Sequence, residues 1–407
     1  MAFVTLSNHQ IRYELAGEPD GIPVVFVNGL TQAAHLWGAY VPYLVERGFR
    51  VLTFDMLGQG ESDKPLLSAG FERHASIMAA LIEKLNMERP FVAGISYGGA
   101  VALRYAISYP DKLRGLVAMG AFSEMDARLK WIGENLFVGL AAVGTEYLQN
   151  LFMPYNFSSA WLDKNEAIIP TLRRRGYNLN DQYALQNLME AAAKSASFSS
   201  ELPKITAPTL IINGEYDYIT PRKLHDILRQ GIRYSRLVVV QHACHAFTLE
   251  YPEITMRLIY DFAVKVGRNE WPGDQTTWVA NDDPVGEPLY LPILGDPLRA
   301  IQPDMQALAA GTPAAAAAKP VGPKTTRAPA KMTKEVTTTG RARNEKAVKA
   351  TNTAKTAKTA KTAKTAKTAK TAKTAKTAKT AKTAKTTAGK SATTKAAKTT
   401  TGGHHVS

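Results

Sequence analysis

Between a short apolar run, Phe91–Ala93, and a helix-patterned segment, Ala100–Tyr109, the chain reads Gly94-Ile95-Ser96-Tyr97-Gly98-Gly99. A serine flanked by small residues at a strand-to-helix junction permits a tight turn that lifts its hydroxyl above the sheet edge. The helix that follows aims its N-terminus at the same spot and favours negative charge developing there. Such a junction needs a parallel sheet around it, and the flanking sequence supplies the strands. Val24–Val27, Val51–Phe54 and Leu116–Met119 are further apolar runs bounded by Gly, Pro or charge, as strands buried on both faces are. Among them lies Ala75–Leu85, with Ile77, Leu81, Ile82 and Leu85 at helical spacing. Strands alternating with helices predict an α/β fold with a mostly parallel, doubly wound sheet. Val4–Tyr13 reads as an antiparallel entry hairpin that turns at Ser7-Asn8.

From about Ser123 to Pro203 that rhythm stops. The segment is helical in pattern and rich in large apolar residues, among them Trp131, Leu136, Phe137, Phe152 and Trp161. Strands resume at Thr209–Ile212 and Leu237–Val240, followed by a helix over Pro252–Val266. The reading is a body over residues 1–267 with an inserted helical lid at about 123–205. Some of the lid's apolar residues are expected to line an acyl pocket, the rest to hold it to the body. Residues 268–310, rich in Pro and Asp with Trp271 and Trp278 interspersed, are expected to form a small strand-like appendage.

A serine hydroxyl is a poor nucleophile at neutral pH and needs a base, itself oriented by a carboxylate. In a sheet of this kind the order is serine, acid, histidine, each on a loop after a strand. Asp217 follows the strand at Thr209–Ile212 and is the chosen acid; Glu215, two residues nearer the strand, and Glu124 or Asp126, after the earlier strand, are the alternatives. His245 follows Leu237–Val240 and is the chosen base, with His242 read as structural. Two backbone N–H groups are needed for the oxyanion: Tyr97, after the nucleophile, and Leu30, in the loop Asn28-Gly29-Leu30-Thr31. Asp55, in Phe54-Asp55-Met56-Leu57-Gly58-Gln59-Gly60, precedes the serine and is read as a turn residue.

On these motifs residues 1–267 resemble the α/β-hydrolase superfamily: Asn28-Gly29, Asp55-x-x-Gly58-x-Gly60-x-Ser62, Gly94-x-Ser96-x-Gly98-Gly99, Asp217 and His245. Within it the chain is most similar to bacterial 3-hydroxyacyl transferases and thioesterases that feed polyhydroxyalkanoate and rhamnolipid synthesis. That likeness rests on Val27-Asn28-Gly29, on Ile212-Asn213-Gly214-Glu215-x-Asp217-x-x-Thr220 and on the length of the lid. It implies that Ser96 is acylated, that His245 shuttles the proton and that Asp217 orients it. It also implies a medium-chain, 3-hydroxylated acyl substrate, small or delivered on acyl carrier protein or coenzyme A. The chain departs from the pattern in having Tyr97 where Trp is frequent, Cys244 where glycine precedes the histidine, and no His-x-x-x-x-Asp. Intracellular polyhydroxyalkanoate depolymerases and general carboxylesterases share the Asn-Gly loop and the serine turn, and remain alternatives.

The formal charge of +15 says nothing about this body. From Gly311 onward lie 23 of the 50 Lys and Arg but only 2 of the 35 Asp and Glu, so this tail carries +21 and residues 1–310 carry −6. Lysine recurs every third residue from Lys355 to Lys385, which leaves no apolar stripe on a helix and no core to bury. Residues 311–407 are therefore expected to be disordered. They resemble the lysine-alanine tails of histone-like and granule-associated bacterial proteins, which implies salt-sensitive binding of nucleic acid or another polyanion. On that reading the protein is chiefly a polyanion-binding scaffold; a solubilising appendage is the alternative, and either is compatible with catalysis by the body. A single cysteine, the absence of a signal-peptide pattern and the lack of an apolar run of about 18 residues predict a cytoplasmic protein with no membrane span. No motif calls for a metal or an organic cofactor.

Overall fold

The apolar runs are strands, and burial alternates along them as the pleat requires. In Ile22–Val27, Val25 and Val27 join one apolar cluster and Val24 and Phe26 join a second, on opposite faces of the sheet. All four are fully buried, which is why the run shows no polar alternation in the sequence. The computed structural model describes residues 1–67, 69–280 and 291–292.

Among the described residues ten strands form a single sheet: β1 Ala2–Leu6, β2 His9–Ala16, β3 Ile22–Val27, β4 Phe49–Phe54, β5 Phe91–Ile95, β6 Gly115–Met119, β7 Thr209–Gly214, β8 Ser235–Val240, β9 Thr277–Ala280 and β10 Leu291–Pro292. Their spatial order is β1-β2-β4-β3-β5-β6-β7-β8-β9-β10. Every pairing from β4 through β9 is parallel, and the antiparallel partners stand only at the two ends. The entry hairpin turns at Ser7 and Asn8, both with positive φ (48° and 65°), the geometry of a two-residue turn that matches the strand twist.

The helices are α1 Tyr40–Val45, α2 Phe71–Lys84, α3 Tyr97–Ser108, α4 Ala127–Val143, α5 Thr145–Asn156, α6 Ser159–Asn165, α7 Ile169–Leu179, α8 Gln182–Lys194, α9 Arg222–Gly231, α10 Phe247–Glu250 and α11 Pro252–Gly267. Residues of α2 and α3 fill one apolar cluster beside Val25 and Val27, whereas α1 and α11 cover the opposite face beside Val24 and Phe26. Five helices, α4 to α8, interrupt the sheet between β6 and β7. Three of them begin on the side-chain caps their sequences offer: Asp126 accepts from Leu129 N, Ser158 from Trp161 N, and Asp181 from Ala184 N.

Thr277–Ala280, within the segment expected to be an appendage, instead lengthens the central sheet by pairing in parallel with β8. The residues just before it are held by polar contacts, Gln275 N to Ser235 O and Arg236 to Asp274, rather than by a long apolar run. Residues 281–290 and 293–407, the basic tail among them, lie outside the described residues. No helix among the described residues is long and apolar enough to cross a membrane.

Candidate active site

The turn between β5 and α3 is built for close approach. A Cβ on Gly98 would stand 2.3 Å from Asn28 O and 2.4 Å from Val27 O, so only glycine lets α3 pack against the end of β3. Ser96 occupies the left-handed region at φ 55°, which a side chain rarely adopts, and its N–H donates to Met119 O at 2.8 Å. The strain is absorbed by neighbours that bury all of β5 and nearly all of α3.

Three side chains from three separate strand ends meet here. Ser96 Oγ lies 2.9 Å from His245 Nε2, and His245 Nδ1 lies 2.8 Å from Asp217 Oδ2. With its Nδ1–H donated to the carboxylate, the imidazole presents Nε2 as acceptor for the serine hydroxyl. Asp217 is 4% exposed and His245 7%, so little water competes for these bonds. Ile219 N and Thr220 N both donate to Asp217 Oδ1, and Thr220 Oγ1 lies 2.8 Å from Oδ2. Burial alone would push the Asp217 carboxyl up. The neighbouring His245 and His225 rings and the Thr220 N–H outweigh it and hold the pKa below its ordinary value.

The other acids are engaged elsewhere. Glu215 accepts from His242 N at 2.8 Å, and the His242 ring stacks on Tyr216. Asp126 caps α4, and Glu124 accepts from Ser199 Oγ at 2.7 Å. Asp55 accepts from Ala34 N and Glu61 N and so ties two loops together beneath the site. Cys244, beside the histidine, has its thiol pushed up to about 12 by burial and by the Glu250 and Asp217 carboxylates, so it stays protonated.

Two features had no role assigned from the sequence. Glu250 accepts from Cys244 N and from Ser158 N, both at 2.6 Å, and so joins the His245 loop to the start of α6. Gln59 is fully buried and donates to Gly29 O at 2.7 Å and Leu30 O at 3.0 Å. The only sequence signal for Gln59 was its place inside the Asp55-to-Ser62 turn; Glu250 gave none.

Ser96, Tyr97, Leu30 and His245 open onto a cavity of about 600 Å³ between the sheet and the inserted helices. Its walls are mainly apolar, with Leu129, Ile132, Leu136, Phe137, Phe152 and Met189 supplied by the insertion. Lys130 and Arg173 also line it. Among the described residues no group of three or more His, Cys, Asp or Glu side chains is placed to hold a metal ion.

A strand-turn-helix serine, a strand-end acid and a strand-end histidine under a helical insertion define a hydrolase of the α/β class. The model of the alpha/beta hydrolase fold matches residues 22–252, more than half of the chain, and the chain belongs to that family. A 2-hydroxy-6-oxononadienedioate/2-hydroxy-6-oxononatrienedioate hydrolase of Cupriavidus pinatubonensis is 27% identical, covering 64% of this chain and 94% of its own. The AB hydrolase superfamily protein YisY of Bacillus subtilis is 26% identical, covering 60% of this chain and 92% of its own. Among solved structures, the enol-lactonase of Burkholderia xenovorans superposes with a TM-score of 0.60 at 22% identity, covering 65% of this chain and all of its own.

Proposed function

We propose that Ser96, activated by His245 and oriented through Asp217, attacks the carbonyl of an ester or thioester and forms an acyl-enzyme. The observation that carries this is the unbroken chain of short contacts, 2.9 Å and then 2.8 Å, ending in a buried carboxylate. His245 takes the hydroxyl proton as the bond to the carbonyl carbon forms, then gives it to the leaving group. Leu30 N–H and Tyr97 N–H receive the oxyanion. Water, accepted through the same imidazole, then releases the acid; a second acyl acceptor in its place would make the reaction a transfer.

The acyl group is a medium-length chain, 3-hydroxylated as in the enzymes the sequence resembles. Support comes from the apolar walls of the cavity, whose size and lining suit an alkyl chain held next to the serine. The substrate would be met in the cytoplasm, free or on a carrier. The basic tail would act separately, by retaining the enzyme on a polyanion.

The test is acyl release from p-nitrophenyl esters of increasing length and from 3-hydroxyacyl thioesters, with Ser96→Ala as control. A maximum at medium length, lost in the variant, is the expected result. A preference for acetate alone would remove the medium-chain reading. A second reading takes Lys130 and Arg173, which share the cavity wall with Glu134 and Glu190, as the cations for a substrate carboxylate. It makes the substrate a dicarboxylate, like that of the Cupriavidus relative, and predicts turnover of such compounds in preference to alkyl esters.

A further inference from the structure

The loop after β3 has four peptide groups near the serine, and their hydrogen bonds are unevenly spent. Gly29 N donates to Gln32 Oε1 at 2.9 Å. Leu30 N donates to no acceptor among the described residues, and Leu30 lines the cavity beside Ser96. Leu30 is half-buried, and an unpaired backbone donor there is available to water or to a substrate oxygen. The carbonyls on the other side of the same peptides are held: Gln59 Nε2 donates to both Gly29 O and Leu30 O, and Gly29 O also accepts from Gln32 N at 3.2 Å.

In a trans peptide the N–H points opposite to the C=O of the preceding residue. Fixing Gly29 O therefore fixes the direction of Leu30 N–H, and fixing Leu30 O fixes that of Thr31 N–H. Gln59 is itself held by a buried relay. Trp37 Nε1 donates to Asn28 Oδ1 at 2.8 Å; Asn28 Nδ2 donates to Phe54 O at 2.8 Å and lies 3.5 Å from Gln59 Oε1. That contact sets the amide so that its NH2, and not its oxygen, faces the loop. Trp37, Asn28 and Gln59 are all at most 2% exposed.

We propose that Gln59 is the positioning residue of the oxyanion site: it never touches substrate, and it holds the Gly29-to-Thr31 peptides so that Leu30 N–H faces the developing charge. The inference rests on the acyl-enzyme reading of Ser96. Gln59→Met keeps the length and removes both donated bonds; Gln59→Glu keeps the shape and sets carboxylate oxygens against the two carbonyls.

The experiment measures kcat and KM on a p-nitrophenyl ester, together with inhibition by an aryl trifluoromethyl ketone, whose adduct carries an oxyanion. The expected result is a kcat lowered by about 100-fold, the cost of losing an oxyanion donor, with KM nearly kept. Ketone affinity should weaken in step with kcat/KM, a correlation that mere loosening of the fold would not produce. Gln59→Glu should be the poorer of the two. A folded variant of either kind that keeps the parent kcat, or that loses substrate and ketone binding equally, overturns the proposal. Should Gln59→Met not fold, Gln59→Glu decides by the same two readouts. If Ser96→Ala is inactive while Gln59→Met is fully active, only the positioning role falls. If Ser96→Ala is itself active, the underlying reading falls first.

Discussion

The sheet body and the helical insertion are both apolar, yet they use that apolarity differently. In the body, β5, β6 and β7 are buried at every position, and Ser96, Asp217 and His245 follow the ends of β5, β7 and β8. In the insertion, large apolar residues face water: Trp131 is 70% exposed, Val143 65% and Tyr183 74%. A parallel sheet buried on two faces holds atoms in fixed positions, which a three-group relay needs. Short helices packed over one opening need only exclude water and shape a cavity, and many side chains satisfy that. The chemistry is therefore assigned to the body and the choice of substrate to the insertion.

The largest effect should come from the body. Asp217→Asn leaves the size of the side chain unchanged but removes the charge that fixes the His245 tautomer, and kcat should fall about 10⁴-fold. Rates on a medium-chain ester check this; a loss under tenfold would move the acid to another residue. A matched pair of glycine substitutions sharpens the contrast. Gly98→Ala drives a Cβ to 2.3 Å from Asn28 O and should cost several kcal/mol, roughly the upper range of single substitutions. Gly133→Ala in α4 meets nothing within 4 Å and should stabilise the helix by about 1 kcal/mol. Denaturant melts of both variants read the difference, and equal effects would remove the distinction between the two regions.

A smaller effect is set by two buried histidines of the body. Burial pushes His74 and His225 down to about 4; the Arg73 charge works in the same direction at His74, while Asp217 opposes it at His225. As the pH drops below about 6.5 the unfolded chain takes up these protons while the folded chain does not. Stability should thus be level above about 6.5 and fall towards 4, by roughly 1.4 kcal/mol per unit for each ring. Melting temperatures from pH 8 to 4.5 test this, and a flat profile would mean that neither ring is held neutral.

The sequence carried the body better than the insertion, for a physical reason. Ser96, Asp217 and His245 each sit where a buried strand ends, and a fully apolar strand followed by a polar loop is a local pattern. The structure brings them within hydrogen-bond reach although 149 residues separate the first from the last. Gln59 was invisible as a functional residue because its partners, Gly29 O and Leu30 O, are main-chain atoms about 30 residues away. Glu250 hides for the same reason, as its partners are the N–H groups of Cys244 and Ser158. Thr277–Ala280 is hard to read as part of the main sheet because a strand of four residues lacks the apolar signature of β3 or β5. The cavity depends on how five helices pack, and their spacing in sequence does not encode that.

The most direct test of the account is intact-mass and peptide analysis of the enzyme quenched within seconds of mixing with p-nitrophenyl octanoate. The account predicts one added octanoyl group, located on the peptide that contains Ser96 and absent from Ser96→Ala. Turnover that proceeds with no acyl group on that peptide, or with the group on another residue, would contradict it.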